Sequence, residues 1–205
     1  MNKTIFIILG VLAVGVIAFF LFKKDMPEIT NYPPRTGPIV VLGDSLVYGA
    51  GSTRGNDFVS VLSNEIGEPV INMGVNGNTT ADGLARVDTV LALNPRVVVV
   101  LLGGNDFLRR VPMNETFENL DAIVEKLQAN GAVVVLLGIQ GGLLNDPFAA
   151  QFEALAERRG TAYVPNVLSG LIGNQSLMAD AIHPNDEGYK RVAEKVLPVL
   201  QAVLK

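Results

Sequence analysis

The sequence of 205 residues contains no cysteine and a single histidine, His183. Without cysteine the chain can form no disulfide, thiol nucleophile, iron–sulfur cluster, Cys-ligated zinc site or lipid-modified cysteine anchor. A metal site built on two or three histidines is also excluded, and chemistry that needs an imidazole must use His183. The chain has no excess of positive charge, because 16 Lys and Arg stand against 20 Asp and Glu. That balance disfavours a strongly basic nucleic-acid binder, so we expect no nucleic-acid partner.

One long hydrophobic run lies near the amino terminus. Residues 5–22 carry no charged or polar side chain, and a helix of that length spans roughly 27 Å, close to the thickness of a bilayer's hydrocarbon core. A cleaved signal peptide is the alternative, because Lys3 provides a short basic region before the run. The run is longer than a usual signal-peptide core, it ends in phenylalanine instead of small residues, and Lys23 and Lys24 follow it. We therefore expect residues 1–24 to form an uncleaved, single-pass membrane anchor, with a buried core helix as a third option.

The charges beside this run leave its orientation open, because the amino terminus and Lys3 roughly balance Lys23 and Lys24. We expect a bacterial inner-membrane protein with a periplasmic or extracytoplasmic domain, since most short amino-terminal anchors of exported catalytic domains leave few residues inside. Residues 25–37 contain three prolines and no hydrophobic period, which predicts a semi-rigid linker of up to about 40 Å. Residues 38–205 then form the folded domain, whose net charge of −6 argues against adhesion to anionic lipid headgroups.

Short β-branched runs alternate with helical periods along this domain, which is typical of a parallel α/β fold. The runs are apolar at nearly every position, as expected for strands that are covered on both faces. We predict a three-layer α/β/α sandwich with a mainly parallel sheet of about five strands, whose ligands bind beyond the carboxyl ends of the strands. The predicted strands are Ile39–Leu42, Val70–Asn72, Val97–Leu102, Ala132–Leu137 and Ala162–Val164.

Two helices are indicated clearly by apolar residues at helical spacing. One follows the potential cap Asn114 and places Phe117, Leu120 and Leu127 on one face. The last helix has Asn185 as its candidate N-cap, with acidic residues in its first turn that favour the helix dipole.

The first two candidate functional segments follow predicted strands one and two. In Gly43-Asp44-Ser45-Leu46, Ser45 leaves the strand on a tight turn that can expose its hydroxyl. This is not the G-x-S-x-G elbow, and a cap or loop is the plainer interpretation of the fragment alone. The second segment, NMGVNGNT, precedes a helix opened by Thr79 or Thr80. Its glycines can satisfy a left-handed turn, or let an acyl carbonyl approach a backbone N–H.

The other two segments contain an asparagine and the lone histidine. Asn105, in Gly103-Gly104-Asn105-Asp106, either caps a turn or offers a neutral amide donor to a developing oxyanion. In the turn from Asp180 to Asn185, the Asp180 carboxylate can reach Nδ1 of His183 and leave Nε2 free as a base. A histidine taken alone is more often a surface residue than a catalyst. The combination of nucleophile, base and donors in converging segments favours a hydrolytic site.

Together the four blocks GDSL, NMGVNGNT, GGND and D-x-x-H resemble the SGNH (GDSL) hydrolase family, in the order that the family shows. They run across about 140 residues, and the closest resemblance is to the bacterial arylesterase, acyl-CoA thioesterase and lysophospholipase group. The resemblance implies a flavodoxin-like sandwich and ester hydrolysis without metal or cofactor. It also implies Ser45 as nucleophile and first oxyanion donor, Gly77 and Asn105 as the other donors, and His183 with Asp180 as base and orienting carboxylate. We prefer Gly77 to Gly74 because it matches the family's glycine shortly before the helix.

Two groups of residues near these sequence blocks each allow two interpretations. Arg109 and Arg110 either attract an anionic headgroup or form a solvated pair. Phe107, Leu108 and residues 140–144 either border an acyl groove or pack in the core. The glycine-rich residues 49–55 match neither a dinucleotide fingerprint nor a P-loop, which indicates a flexible rim loop.

We therefore expect a membrane-anchored serine esterase that hydrolyses small-molecule acyl esters or thioesters through an acyl-serine intermediate. A carbohydrate O-deacetylase of the same fold is the alternative within the enzyme class. An inactive, tethered binding module is the alternative from another class. The sequence does not fix the oligomeric state, the acyl length or the physiological substrate.

Overall fold

The computed structural model describes residues 28–140 and 146–205. Within these residues five strands form one parallel sheet in the order β2-β1-β3-β4-β5. The predicted α/β fold with a parallel five-stranded sheet is confirmed, and each strand lies within two residues of its predicted position. The strands are β1 (Ile39–Gly43), β2 (Val70–Gly74), β3 (Val97–Leu101), β4 (Val133–Leu137) and β5 (Ala162–Val164).

Eight helices lie in the described part of the chain, on the two sides of this sheet. They are α1 (Ser45–Tyr48), α2 (Phe58–Ile66), α3 (Thr80–Ala85), α4 (Val87–Leu91), α5 (Gly104–Arg109), α6 (Met113–Ala129), α7 (Pro147–Arg159) and α8 (Asp186–Val203).

The sheet is the centre of the hydrophobic core. Every residue of β1, β3 and β4 is buried, which explains why these segments show no polar alternation in the sequence. Helices α2 and α8 contact each other, while α3, α4, α5 and α7 all contact α6. Because parallel crossovers are right-handed, the two groups cover opposite faces and complete the three layers.

The strand order places a topological switch point between β1 and β3. From β1 the chain crosses to β2 on one side and then returns to β3 on the other side. Gly43, the last residue of β1, lies level with Gly74 of β2 and Leu101 of β3. Ligands of open α/β sheets bind in the crevice beyond the carboxyl ends at such a point. The segments after β1 and β3 carry Ser45 and Asn105.

The helix starts agree with the sequence in two cases and differ in one. Asn185 caps α8 by accepting the Gly188 N–H at 3.0 Å, and Thr79 caps α3 through a reciprocal pair with Asp82. Asn114 was predicted to cap the helix that holds Phe117, and this prediction is wrong. The helix begins at Met113, with Pro112 at the N-cap and no side-chain cap, because the extended backbone of Pro112 already starts it.

The amino-terminal part of the described chain lies against the domain. Thr30 donates its backbone N–H to the Gly160 carbonyl at 2.9 Å, and the Asn31 amide donates to the Ala132 carbonyl at 3.0 Å. Part of the predicted linker, 25–37, is therefore held by hydrogen bonds instead of crossing open solvent. Its prolines indicate extended backbone but give no sign of these tertiary partners.

The predicted anchor, residues 1–24, lies outside the described residues. Among residues 28–140 and 146–205, no helix combines the length and the apolar character needed to cross a membrane.

Candidate active site

Ser45 begins a short helix that follows the interior strand β1. Asp44 forms the N-cap, and its Oδ1 accepts the Leu46 N–H at 2.9 Å. This turn leaves Ser45 half-buried at the carboxyl edge of the sheet. Gly74, at the end of β2, has no room for a Cβ, which would overlap the backbone of Tyr48. The glycine therefore lets β2 pack tightly against the helix that carries Ser45.

The hydroxyl of Ser45 faces the only histidine of the chain. Ser45 Oγ lies 3.0 Å from His183 Nε2, and His183 Nδ1 lies 2.7 Å from Asp180 Oδ2. The structure thus brings together the three residues that were predicted from segments up to 138 positions apart. With Nδ1 donating to the carboxylate, Nε2 is left to accept the serine proton.

The Asp180 carboxylate is oriented by its own turn. Its Oδ1 accepts the backbone N–H groups of Ile182 and His183, both at 2.8 Å, which leaves Oδ2 for the imidazole. The hydrogen bond from His183 and these two N–H groups hold the pKa of Asp180 at about 2. The carboxylate is therefore ionised at neutral pH, as required to stabilise an imidazolium.

The glycine-rich rim loop supports the turn that carries His183. Gly51, at φ +93°, approaches so closely that a Cβ would lie 2.6 Å from the Pro184 carbonyl oxygen and 3.3 Å from the Cβ of His183. Thr53 also donates its backbone N–H to Asp186 at 2.7 Å. This bracing role was not predicted from the sequence, although a glycine at a close approach of two backbones is the kind of signal that could have indicated it.

Asn105 lies beside the loop that contains Gly77. The Asn105 Nδ2 donates to the Asn78 carbonyl at 3.0 Å and to Asp44 Oδ2 at 3.3 Å. Gly77 itself adopts φ +76°, a left-handed conformation that favours glycine. The structure thus places both predicted donors at the end of the sheet that carries Ser45.

Asp44 is a buried carboxylate that sequence analysis treated only as part of the serine turn. Burial raises its pKa to about 6, although the Leu46 N–H, the charge of His183 and the Asn105 amide act in the opposite direction. Desolvation dominates because the residue is only 3% exposed.

A cavity of about 220 Å³ opens beside Ser45, Asn105 and His183. Its walls are largely apolar, so it can accept a hydrocarbon chain next to the serine hydroxyl. Phe107 and Leu108 line it and are about half exposed, which favours the acyl-groove interpretation over core packing. Of residues 140–144, Gln140 lines the cavity and the others lie outside the described residues. The other apolar lining residues are Leu46, Ile139, Phe148, Leu168, Ile172, Ala181 and Ile182.

Arg109 is an exposed residue that makes one hydrogen bond to the loop containing Gly77. Its Nη2 donates to the Gly77 carbonyl at 2.8 Å. Arg109 and Arg110 are both exposed, as the solvated-pair interpretation predicts, and the bond to Gly77 also ties Arg109 to the loop beside Asn105.

Comparisons with known proteins agree with this geometry. The sequence model of the GDSL-like Lipase/Acylhydrolase family matches residues 41–191. The chain is 36% identical to Esterase TesA of Pseudomonas aeruginosa, over 81% of this chain and 89% of that protein. It is 32% identical to an arylesterase of Vibrio mimicus, over 77% and 85% of the two chains.

The structural match to a crystal structure of TesA covers 82% of this chain and 99% of the TesA chain, with a TM-score of 0.77. The four sequence blocks, the strand order and the family match lead to one assignment. The chain belongs to the GDSL-like lipase/acylhydrolase family, also called SGNH hydrolases, and is a serine esterase.

Proposed function

We propose that Ser45, His183 and Asp180 carry out the hydrolysis of small to medium acyl esters and thioesters in this esterase. The observation that carries the proposal is the hydrogen-bonded line from Ser45 Oγ through His183 to Asp180, at 3.0 and 2.7 Å. This line opens into an apolar cavity, so a bound acyl chain would present its carbonyl to the serine.

The first step forms the acyl-enzyme. His183 Nε2 takes the proton of Ser45 as Oγ bonds to the carbonyl carbon, and the carbonyl oxygen becomes an oxyanion. The oxyanion accepts hydrogen bonds from the N–H groups of Ser45 and Gly77 and from the Asn105 amide. The Asn105 amide donates two hydrogen bonds within the protein. An oxyanion can replace the longer one, which goes to Asp44 at 3.3 Å. The 3.0 Å bond to the Asn78 carbonyl then keeps the amide in place.

The second step releases the acid. The tetrahedral intermediate collapses as protonated His183 gives its proton to the leaving alkoxide or thiolate, which departs as alcohol or thiol. His183 then removes a proton from water, whose oxygen attacks the acyl-serine, and a second collapse frees the acid and restores Ser45. The ionised Asp180 carboxylate stabilises the imidazolium in both steps.

The cavity lining favours acyl chains over sugars as the group bound beside Ser45. A carbohydrate O-deacetylase needs polar side chains to pair with sugar hydroxyls, whereas Leu108, Ile139, Phe148 and Ile172 are apolar. An arylesterase and a protein named thioesterase 1/protease 1/lysophospholipase L1, from Escherichia coli, are among the relatives. These names support esters and thioesters as the substrate class.

The assay of this proposal uses the full chain in detergent with p-nitrophenyl esters of two to twelve carbons, and acetylated xylan for comparison. We expect hydrolysis of butyrate and hexanoate esters that persists in EDTA and is abolished by Ser45→Ala. Activity that remains in Ser45→Ala, or acetyl release from the polysaccharide alone, contradicts the proposed mechanism or substrate class respectively.

We further propose that residues 1–24 anchor the enzyme in a bacterial inner membrane, with the domain on the periplasmic side. The uninterrupted apolar run supports this. Thr30 and Asn31 contact residues that precede β5 and β4, so the chain enters at the amino ends of the strands, opposite the cavity. The cavity would then face away from the anchor. Recovery of the full-length protein in the membrane fraction, with protease sensitivity in spheroplasts, is expected, and a mature terminus between residues 18 and 37 contradicts the anchor.

A further inference from the structure

One short helix holds the loop that contains Gly77. Helix α5 follows β3, and three of its side chains bind this loop or the first residue of α3, which follows the loop. The Asn105 amide binds the Asn78 carbonyl at 3.0 Å, and the Asp106 carboxylate accepts the Thr80 N–H at 2.9 Å. The third side chain is that of Arg109.

Arg109 and Asn105 lie four residues apart on α5, so they share one face of the helix. They bind two successive carbonyl groups of the loop. The Arg109 guanidinium donates to Gly77 at 2.8 Å, and the Asn105 amide donates to the next residue, Asn78. The same helix face therefore sets the position of the loop and carries one of the proposed oxyanion donors.

Gly77 needs such a restraint more than other residues would. It has no side chain to hold it, and its φ of +76° lies in a region that glycine reaches and leaves easily. The two residues that precede it, Val75 and Asn76, are exposed. The bond to Arg109 closes on the carbonyl of Gly77 itself. It restrains the peptide group that carries this carbonyl, and the peptide group that carries the Gly77 N–H is joined to it at the same Cα.

The surroundings of Arg109 disfavour a role in binding an anion. Hydrogen bonds from Thr79 lower the pKa of Asp82, and the positive charges of Arg109 and Arg86 lower it further. Arg109 therefore lies in the field of a carboxylate while it donates to Gly77. A substrate phosphate would compete with both.

We propose that Arg109 is a positioning residue of the oxyanion hole, which holds Gly77 so that its N–H donates to the oxyanion. This inference rests on the proposed role of Gly77 in the mechanism. Arg109 is not among the residues that line the cavity beside Ser45, so its effect passes through the loop. Its loss should therefore act on the transition state, in which the oxyanion exists, and leave substrate binding nearly unchanged.

The test compares Arg109→Met with Arg110→Met in the full chain. Arg110 is the matched control, because it ends the same helix and no hydrogen bond or ion pair of its side chain occurs in residues 28–140 and 146–205. We expect Arg109→Met to lower kcat for p-nitrophenyl hexanoate by about tenfold, with KM within about twofold. Arg110→Met should change neither constant. A trifluoromethyl ketone, whose tetrahedral adduct uses the same donors, should bind Arg109→Met more weakly by a similar factor.

Arg109→Lys separates positioning from a loss of folding. Lysine keeps one charged donor that can approach the Gly77 carbonyl, so part of kcat should return while the melting temperature stays near that of the wild type. An unchanged kcat in Arg109→Met, or an equal loss in Arg110→Met, overturns the inference. A raised KM limited to anionic substrates overturns it in favour of anion binding. A wild type that hydrolyses no ester refutes the proposed function instead.

Discussion

Replacing Asn105 by alanine should separate a catalytic amide from a structural one. The change removes a donor that lies beside Ser45 and that binds two protein acceptors, the Asn78 carbonyl and Asp44 Oδ2. In the proposed mechanism the same amide stabilises the oxyanion, which exists only during reaction. We expect kcat to fall by about 10²–10³, which corresponds to about 2.7–4 kcal/mol of transition-state stabilisation, while KM barely moves.

The hydrogen bonds of Asn105 also predict a cost in stability. Alanine leaves the Asn78 carbonyl and one oxygen of Asp44 without this partner, and an unsatisfied buried acceptor costs about 1–3 kcal/mol. Asp44 is nearly fully buried, so its share of that cost is not relieved by water. The protein should remain folded, because the core around β1 and β3 is untouched.

Asn130→Ala is the matched control. The Asn130 amide likewise donates to a backbone carbonyl, that of Lys126 at 3.0 Å, but at the exposed end of α6. It should lower stability slightly and leave kcat unchanged. The assay is steady-state hydrolysis of p-nitrophenyl hexanoate together with thermal melts for both variants. An Asn105→Ala enzyme with near-native kcat and a depressed melting temperature would refute the oxyanion role and leave only the backbone donors.

Three further predictions follow from the same site. Gly51→Ala should lower kcat and stability, because its Cβ would lie 2.6 Å from the Pro184 carbonyl oxygen beside His183. Gly55→Ala, at a similar φ of +85° but with no atom within 4 Å of the added Cβ, should show the backbone strain in melts and retain kcat. Asp180→Asn should lower kcat by about 10²–10⁴ through loss of the imidazole tautomer, and equal kinetics at neutral pH would contradict that role. Burial raises the pKa of Asp44 from 3.8 to about 6. Between these pH values the folded state keeps a proton that the unfolded chain releases, so the free energy of unfolding should fall as pH rises, by up to about 3 kcal/mol. Urea unfolding should show this fall in the wild type and not in Asp44→Asn, and its persistence in the variant would contradict the assignment.

The sheet could be predicted from sequence because buried parallel strands have a simple signature. Val97–Leu101, for example, is apolar at every position, and each residue of this strand is buried in the structure. Helix caps could be predicted where a side chain forms a local bond, as at Thr79 and Asn185. The prediction that Asn114 caps a helix was wrong because an asparagine at an N-cap and an asparagine inside a helix cannot be distinguished by residue type. Pro112 determines where this helix begins.

Other features depend on contacts that sequence does not reveal. The approach of Asn105 to Asn78, and of Arg109 to Gly77, joins segments that follow different strands. Asn105, Gly77 and Arg109 could be singled out from the sequence, but their hydrogen-bond partners could not be predicted from it. The surroundings of Asp44 likewise include residues distant in sequence, Asn105 and His183, so its raised pKa had no local signal.

Covalent trapping of the nucleophile tests the central claim most directly. The full chain is treated with a fluorophosphonate, and the modified residue is located by peptide mass spectrometry. The account predicts a single phosphonyl group on Ser45, with labelling abolished in Ser45→Ala and strongly slowed in His183→Ala, since His183 is the base. An active enzyme that carries the label on a different residue, or that carries none, would contradict the assignment of Ser45 as the nucleophile.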